Sequence, residues 1–420
     1  MQIPSIHFNN KFADAAISIV RLLDSAGYTA YLAGGCVRDC LLGLTPKDWD
    51  VATSATPEEV LRVFPGAEGV GAAFGVMLVK VEDVTVEVAT FRKDGDYSDS
   101  RRPDSVEFCD AKEDAKRRDF TVNALFYDVV NDQVIDYVNG MEDIQNRLIR
   151  PVGNAVDRMM EDRLRILRGV RFTVTLPNFE MANHWLEYLP DDCDLTGVSR
   201  ERIGHEIRRI AVSETPNPDP ELGSIGTCRP FYRAVYLLGS HDNIDFNRQV
   251  FGIDIPPSFP LSFYYAYKGE VIGRHPSFST LMAHMCFWAC YANCNELKES
   301  LVLSNQEVSE CNDVIGALES LRRWSGGELT ELEKIRVAAR ADIYTLLVYM
   351  GHVHVERIIS DPVYTEWHTR LLPEPLIGGD DLIQAGMKPG PEMGKVLDDL
   401  YNRQLLDSSL CAGQLISTIP

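Results

Sequence analysis

Two aspartates stand two residues apart in Lys47-Asp48-Trp49-Asp50. On an extended segment that spacing puts both carboxylates on one face, where they repel each other unless a cation lies between them. Hard oxygen donors of this kind suit a divalent ion, and Mg²⁺ is commonly held by one or two carboxylates together with substrate phosphates. Glu87 sits in the alternating run Val84-Thr85-Val86-Glu87-Val88-Ala89 and points away from the valines, which makes it a third candidate acid. A solvated strand end shows the same D-x-D spacing, so the pair needs context. Gly34-Gly35 supplies it, because these glycines follow a short apolar run and precede a helical segment near Val37-Arg38-Asp39. Glycine lets a backbone approach a ligand closely, a helix start offers N–H groups to phosphate, and Arg38 adds a charged donor. A phosphate cradle just ahead of a carboxylate pair points to nucleotidyl transfer, with metal ions clamping the attacking hydroxyl and the leaving pyrophosphate.

These groups must be positioned by alternating elements. Residues 12 to 24 read as an amphipathic helix, with Ile17, Val20 and Leu23 at helical spacing. Strands are expected at Tyr28 to Ala33, Asp48 to Ala52, Gly75 to Lys80, Val84 to Phe91, Ala124 to Val130 and Gln133 to Val138, with a short helix at 37 to 42. Thr56-Pro57-Glu58-Glu59 carries the signature of a helix start, with a cap, a first-turn proline and a capping-box glutamate. From Asp157 onward the pattern is helical, broken by Pro-rich junctions at Pro216 to Pro220, Ile255 to Pro260 and Pro373 to Gly379. The expected fold class is an α/β nucleotidyltransferase head with a mixed sheet, followed by helical neck, body and tail. The expected boundaries are 1–148, 149–215, 216–370 and 371–420.

The chain has 420 residues, 45% of them apolar and 25% charged, as a globular protein of several domains requires. No apolar run is long enough for a membrane span and no secretory leader is evident, and the ten cysteines are scattered. A cytoplasmic protein without membrane contact is the expectation. The net charge of −21 opposes nucleic-acid binding at first sight. The basic residues nevertheless cluster at Arg101-Arg102, at Lys112, Lys116, Arg117 and Arg118, and at Arg158, Arg163, Arg165, Arg168 and Arg171. The acidic remainder weakens non-specific binding and favours one shape-selected RNA.

Ordered blocks carry a resemblance. Leu32-Ala33-Gly34-Gly35-Cys36-Val37-Arg38-Asp39, Leu41-Leu42-Gly43, Lys47-Asp48-Trp49-Asp50 and Ala55-Thr56-Pro57 come first. Glu87 to Arg92, Arg117-Arg118-Asp119-Phe120-Thr121-Val122-Asn123-Ala124 and Glu161 to Phe172 follow in the same order. About the first half of the chain thereby resembles the family of class II CCA-adding enzymes and bacterial poly(A) polymerases. The resemblance implies template-independent addition of C, C and A to the 3′ end of tRNA from CTP and ATP, with Mg²⁺ as cofactor and pyrophosphate released. It implies Asp48 and Asp50 as metal ligands, Glu87 as the third catalytic acid, and Gly35 and Arg38 on the triphosphate. It implies Arg118, Asp119 and Asn123 on ribose and phosphates, Asp162 and Arg165 reading the base, and Arg168 and Arg171 in support.

Base reading by such a pair has physical sense. An Asp and an Arg three apart on a helix are neighbours. The carboxylate accepts from an exocyclic amino group while the guanidinium donates to a ring acceptor, which suits cytosine and adenine and rejects guanine and uracil. The polar segment Arg92 to Val106 matches the family's flexible loop, and its full length argues against a CC-only activity. Ser199 to Ile207 resembles the family's fifth motif, expected to brace the template helix.

Alternatives share the head: an enzyme adding only the terminal A, a poly(A) polymerase, or an idle RNA-binding protein. A processive, non-specific polymerase needs a basic grip on RNA, and no Arg-rich tail is present. Cys286, Cys290 and Cys294 recur every four residues on an expected helix face, where their apolar surroundings favour core packing over a metal site. Gly378 to Gly394 is read either as a helix-capping turn or as an RNA-backbone contact.

Overall fold

A computed structural model describes residues 10–71, 75–95, 106–213, 229–255, 277–291, 293–340, 342–348 and 352–419. Most of the loop expected at Arg92 to Val106 and the Pro-rich junctions at Pro216 to Pro220 and after Ile255 lie outside these residues.

The first elements are α1 (Lys11–Ser25), β1 (Ala30–Ala33), α2 (Gly35–Leu41), β2 (Asp50–Thr53), α3 (Pro57–Val63), β3 (Glu68–Gly71), β4 (Val76–Val81) and β5 (Val84–Thr90). They continue with β6 (Arg92–Asp94), β7 (Val106–Phe108), α4 (Ala111–Arg117), β8 (Phe126–Asp128) and β9 (Gln133–Ile135). Seven strands form one sheet in the order β3-β4-β5-β2-β1-β8-β9, and β6 pairs separately with β7. The β2–β5 pair is parallel and the other pairs of the large sheet are antiparallel, so the sheet is mixed.

Sequence chemistry explains these elements locally. α1 buries Ala13, Ala16, Ile19, Val20 and Leu23 along one stripe. α3 starts where expected: Thr56 accepts from the Glu59 backbone N–H and the Glu59 carboxylate accepts from the Thr56 N–H. In β5, Val84, Val86 and Val88 are buried while Thr85 and Glu87 are exposed, the alternation of a half-buried strand. On the face of Ala33 and Ala52, Phe91 and Phe126 pack edge to face at 5.9 Å between ring centres.

The chain then becomes helical through α5 (Gly140–Gln145), α6 (Ala155–Glu161), α7 (Leu164–Thr175) and α8 (Arg200–Ala211). One small sheet interrupts it, Leu148–Ile149 parallel to Glu180–Met181, which the sequence reading did not anticipate. Two residues per strand are too few to show a period of two. Gly169 lets α7 approach Trp185 closely, since a Cβ there would lie 2.5 Å from the indole ring.

The chain divides into two compact units. One comprises Met1–Gly252 with Glu299–Val302, and the other Ile253–Lys298 with Leu303–Pro420. In the second unit the helix Phe278–Trp288 packs on Asn305–Ser325; the first buries Leu281, Met282 and Met285, and the second buries Leu318 and Leu321. The expectation that Cys286, Cys290 and Cys294 share a helix face is corrected: the helix ends at Trp288, and Cys290 is exposed with φ +62°. Cys286 and Cys294 are buried together with Cys311, as apolar packing requires. The C-terminal helices Gly379–Gln384 and Pro391–Leu406 form their own small core with Ile377, Leu382, Met393, Leu400 and Leu415. No described helix is long and apolar enough to cross a membrane.

Candidate active site

Strand register assembles the chemistry. Ala33, the last residue of β1, lies opposite Asp50, the first of β2, so the Gly34-Gly35 turn abuts the start of β2. The parallel β2–β5 ladder aligns Val51 with Val88. Asp50 and Glu87 each stand one residue earlier, so they share a level and a face. Asp48 is a correction: it lies in the lead-in ahead of β2 rather than on the strand. Its would-be partner strand has already ended, because β1 turns away at Gly34. Asp48, Asp50 and Glu87 still line one cleft of about 410 Å³, with Phe12, Lys47, Trp49, Val84, Thr85 and Val86.

The cleft carries uncompensated negative charge. Burial, with Glu87 and Asp48 close by, pushes the Asp50 carboxyl up to about 6 against the pull of Arg118. Among the described residues, no three His, Cys, Asp or Glu side chains close into a cage for a metal ion. Adjacent carboxylates of this kind suit a hard divalent cation that takes its remaining ligands from phosphate oxygens and water.

Beside the acids stands a paired network. Gly34 has φ +75°, and a Cβ there would lie 3.0 Å from Arg118 Nη1, so only glycine makes this turn. Gly35, the residue singled out in the sequence, meets only Arg38 at 3.7 Å. Arg38 is turned inward: its Nε and Nη2 donate to Asp39 at 2.9 and 2.6 Å, and its Nη1 donates to the Asn123 side chain. Asn123 donates to Asp119 at 3.1 Å, and Arg168 donates to the same carboxylate at 2.8 Å. Burial opposes the Asp119 charge, but Arg168, Asn123 and the Phe120 N–H hold the carboxyl well below the usual range. Arg171 pairs with Glu206 at 2.5 Å, and burial pulls the guanidinium down to about 10 despite that partner. Arg118 bonds to Asp114 at 3.1 Å and lies over the Phe126 ring.

The helix expected to carry Asp162 and Arg165 as neighbours is broken between them. α6 ends at Glu161, and Asp162 is extended, with φ −142°. Its side chain caps the next segment by accepting from the Leu164 N–H at 3.1 Å, and accepts from Arg202 at 2.8 Å. A short polar side chain that bonds ahead to the backbone competes with helix continuation. Arg165 is buried and donates to the Arg158 carbonyl and to Glu161. The brace expected from Ser199 to Ile207 takes the form of Arg202 on Asp162 and Glu206 on Arg171.

Sequence reasoning missed Phe172. Its ring lies under Arg38, Arg168 and Arg171, with guanidinium carbons 5.1, 5.5 and 4.0 Å from its centre. The four-residue step from Arg168 to Phe172 was a visible cue, but the contact from Arg38 spans the fold and left none.

Comparison with known proteins identifies the family and the fold. Residues 30–150 match the Poly A polymerase head domain family. A CCA-adding enzyme of Geobacillus thermodenitrificans is 50% identical over 197 residues, 46% of this chain and 48% of that protein. In this and six further CCA-adding enzymes the chain spans only 48–50% of the relative's length. The CCA-adding enzyme of Lactiplantibacillus plantarum matches at 31% identity over 395 residues, 91% of this chain and 89% of that one. The crystal structure of the Bacillus stearothermophilus CCA-adding enzyme in complex with CTP covers 94% of this chain and 93% of its own, with 27% identity and a TM-score of 0.65. The 31% identity to the Lactiplantibacillus plantarum enzyme, across about nine-tenths of both proteins, shows that the chain belongs to the CCA-adding enzyme family.

Proposed function

We propose that this protein adds C, C and A to the 3′ end of tRNA, without a nucleic-acid template, from CTP and ATP. The observation that carries the reading is the cleft of Asp48, Asp50 and Glu87 set by strand register beside the Gly34 turn. In this reading Asp48 and Asp50 hold Mg²⁺, which when bound supplies charge stabilisation at the α-phosphate and favours ionisation of the attacking hydroxyl. Glu87 completes the negative wall and orients the attacking 3′-hydroxyl. Arg118, Asp119 and Asn123 hold ribose and phosphates beside Gly35 and Arg38. Asp162 and Arg165 read the base, with Arg168 and Arg171 as the frame behind them. The arrested carboxylate of Asp162, fixed by Arg202, is an acceptor for the amino group that cytosine and adenine share.

The four-part division into head (1–148), neck (149–215), body (216–370) and tail (371–420) belongs to the same proposal, as does a cytoplasmic location. The relative from Bacillus stearothermophilus binds CTP, which supports CTP as a substrate here.

The test is incorporation of labelled CTP and ATP on tRNA transcripts ending before CCA, after C, and after CC. Growth of the first transcript by CCA, stopping there, is the expected result. Extension only of the CC transcript by one A makes this an A-adding enzyme, and a long A ladder on any RNA makes it a poly(A) polymerase; either outcome overturns the proposal.

A further inference from the structure

The cleft extends away from the phosphate-binding network. Arg38, Arg118 and Asn123 cluster at the Gly34 turn, and none of them lines the cleft. From the carboxylates the cleft runs instead past Val84 to Val86, in the first half of β5, to Lys47 and to Phe12 in the first turn of α1. β2 begins only at Asp50 and pairs with β5 only from Val88, which leaves a notch beside Thr85 and Glu87. Phosphoryl transfer places the attacking and leaving oxygens roughly in line across the phosphorus. If the triphosphate lies on the arginine side, the attacking hydroxyl enters from the opposite side, through this notch.

We infer that Phe12 and Lys47 form the subsite for the terminal nucleotide of the RNA acceptor, with its base stacked on Phe12 and its phosphate on Lys47. The inference rests on the nucleotidyl-transfer reading and assigns residues to a part of the site that reading leaves open. Phe12 is 44% exposed although it is aromatic and sits at the mouth of a cleft. Lys11 lies 5.5 Å from its ring centre and is itself tied to Asp83 at 2.5 Å, which steadies this turn of α1. Aromatic surfaces of this sort stack on any base and so tolerate an acceptor end that changes from one addition to the next. Lys47 is exposed and makes no ion pair with a described residue, although it is next in sequence to Asp48. A free ammonium at the rim of an acidic cleft offsets the repulsion an RNA phosphate meets there. The volume of about 410 Å³ falls within the ~300–1,000 Å³ range of ligand clefts.

Steady-state kinetics of the full chain on a tRNA transcript ending in CC, with ATP, test the inference. Phe12→Ala should raise KM for the RNA by about 10-fold, within the ~5- to 150-fold that loss of one stacked base brings. KM for ATP should stay within about twofold, and Phe12→Trp should restore the RNA KM. Lys47→Ala, a surface change that leaves α1 untouched, should raise the RNA KM and lower the slope of log affinity against log salt by about one. If wild type incorporates nucleotide and both alanine variants keep its RNA KM, the inference alone falls. Equal rises in KM for ATP and RNA also overturn it, because they mark a general distortion of the site. A wild-type chain that incorporates no nucleotide on any transcript overturns the transfer reading and this subsite with it.

Discussion

Two charged regions of the first unit use the same side chains to opposite ends. In the cleft, Asp48, Asp50 and Glu87 face one another with no described cation paired to them, and the Asp50 carboxyl is pushed up to about 6. In the paired network, Asp119, Arg168, Glu206 and Arg171 are matched acid to base, and Asp119 is held below its usual range. The first region is incomplete without a positive ligand and is suited to bind one. The second is satisfied within the chain and is suited to hold shape. Charge alone does not say how a residue acts; its compensation separates acids left without a base, such as Asp48 and Asp50, from acids such as Asp119 that neighbouring bases hold in a fixed position.

The contrast breaks most sharply at Asp50. Asp50→Ala should lower nucleotide incorporation by at least about 1,000-fold, ~4 kcal/mol in the barrier, while thermal melting shows the fold intact. Incorporation within tenfold of wild type would remove the cleft from the chemistry. The paired region predicts the reverse signature. Glu206→Ala leaves Arg171 buried without its acid and strips one partner from Arg168, a change that costs about 3 kcal/mol of stability when one member of a buried pair is removed. Denaturant unfolding should show that loss directly, and a cost under 1 kcal/mol would mean the network is not a frame.

Most of the head was legible in the sequence because its signals are local. The alternation of β5, the capping box at Thr56 and the α1 stripe each follow from residues within one element. The Gly34-Gly35 turn and the D-x-D pair were legible as chemistry. Their meeting was not derivable from spacing, because it depends on the register that sets Ala33 against Asp50 and Val51 against Val88. The break at Asp162 was hidden because Glu161 to Phe172 reads as continuous helix, and the competing cap uses a side chain whose partner Arg202 lies forty residues on. Gly34 rather than Gly35 carries the strained φ, a distinction no dipeptide of two glycines reveals. The tail of the second unit showed its capping turns but no chemistry that would decide its role.

The unpaired region also has a pH signature. The folded Asp50 carboxyl stands at about 6, above an unfolded value of about 3.9. Its contribution to stability is therefore whole below about pH 4 and is lost as pH rises through 6. Asp50→Asn removes the charge that causes the loss. In metal-free buffer this variant should be more stable than wild type by about 3 kcal/mol at pH 7.5 and no more stable at pH 4. Millimolar Mg²⁺ should shrink the gap at pH 7.5 by stabilising only wild type. A gain that is equal at both pH values would show that the carboxylate charge, opposed by burial first and by Glu87 and Asp48 next, is not what costs stability.

The smallest effect on stability sharpens the comparison furthest, because it falls on a carboxylate that is paired within the chain and yet proposed to meet the base. Arg202 pairs with Asp162 at 2.8 Å, and both side chains keep some solvent contact. Its removal in Arg202→Ala should cost no more than about 1 kcal/mol of stability, as partly exposed pairs do. Asp162 then loses the donor that fixes it and keeps the Leu164 N–H. If the carboxylate selects bases by accepting from an amino group, a looser carboxylate discriminates less. Misincorporation of GTP or UTP relative to CTP should rise about fivefold, a ~1 kcal/mol loss of discrimination, with the melting temperature nearly unchanged. Unchanged discrimination would assign the Asp162–Arg202 pair wholly to the frame, and base selection would have to be sought elsewhere along α7.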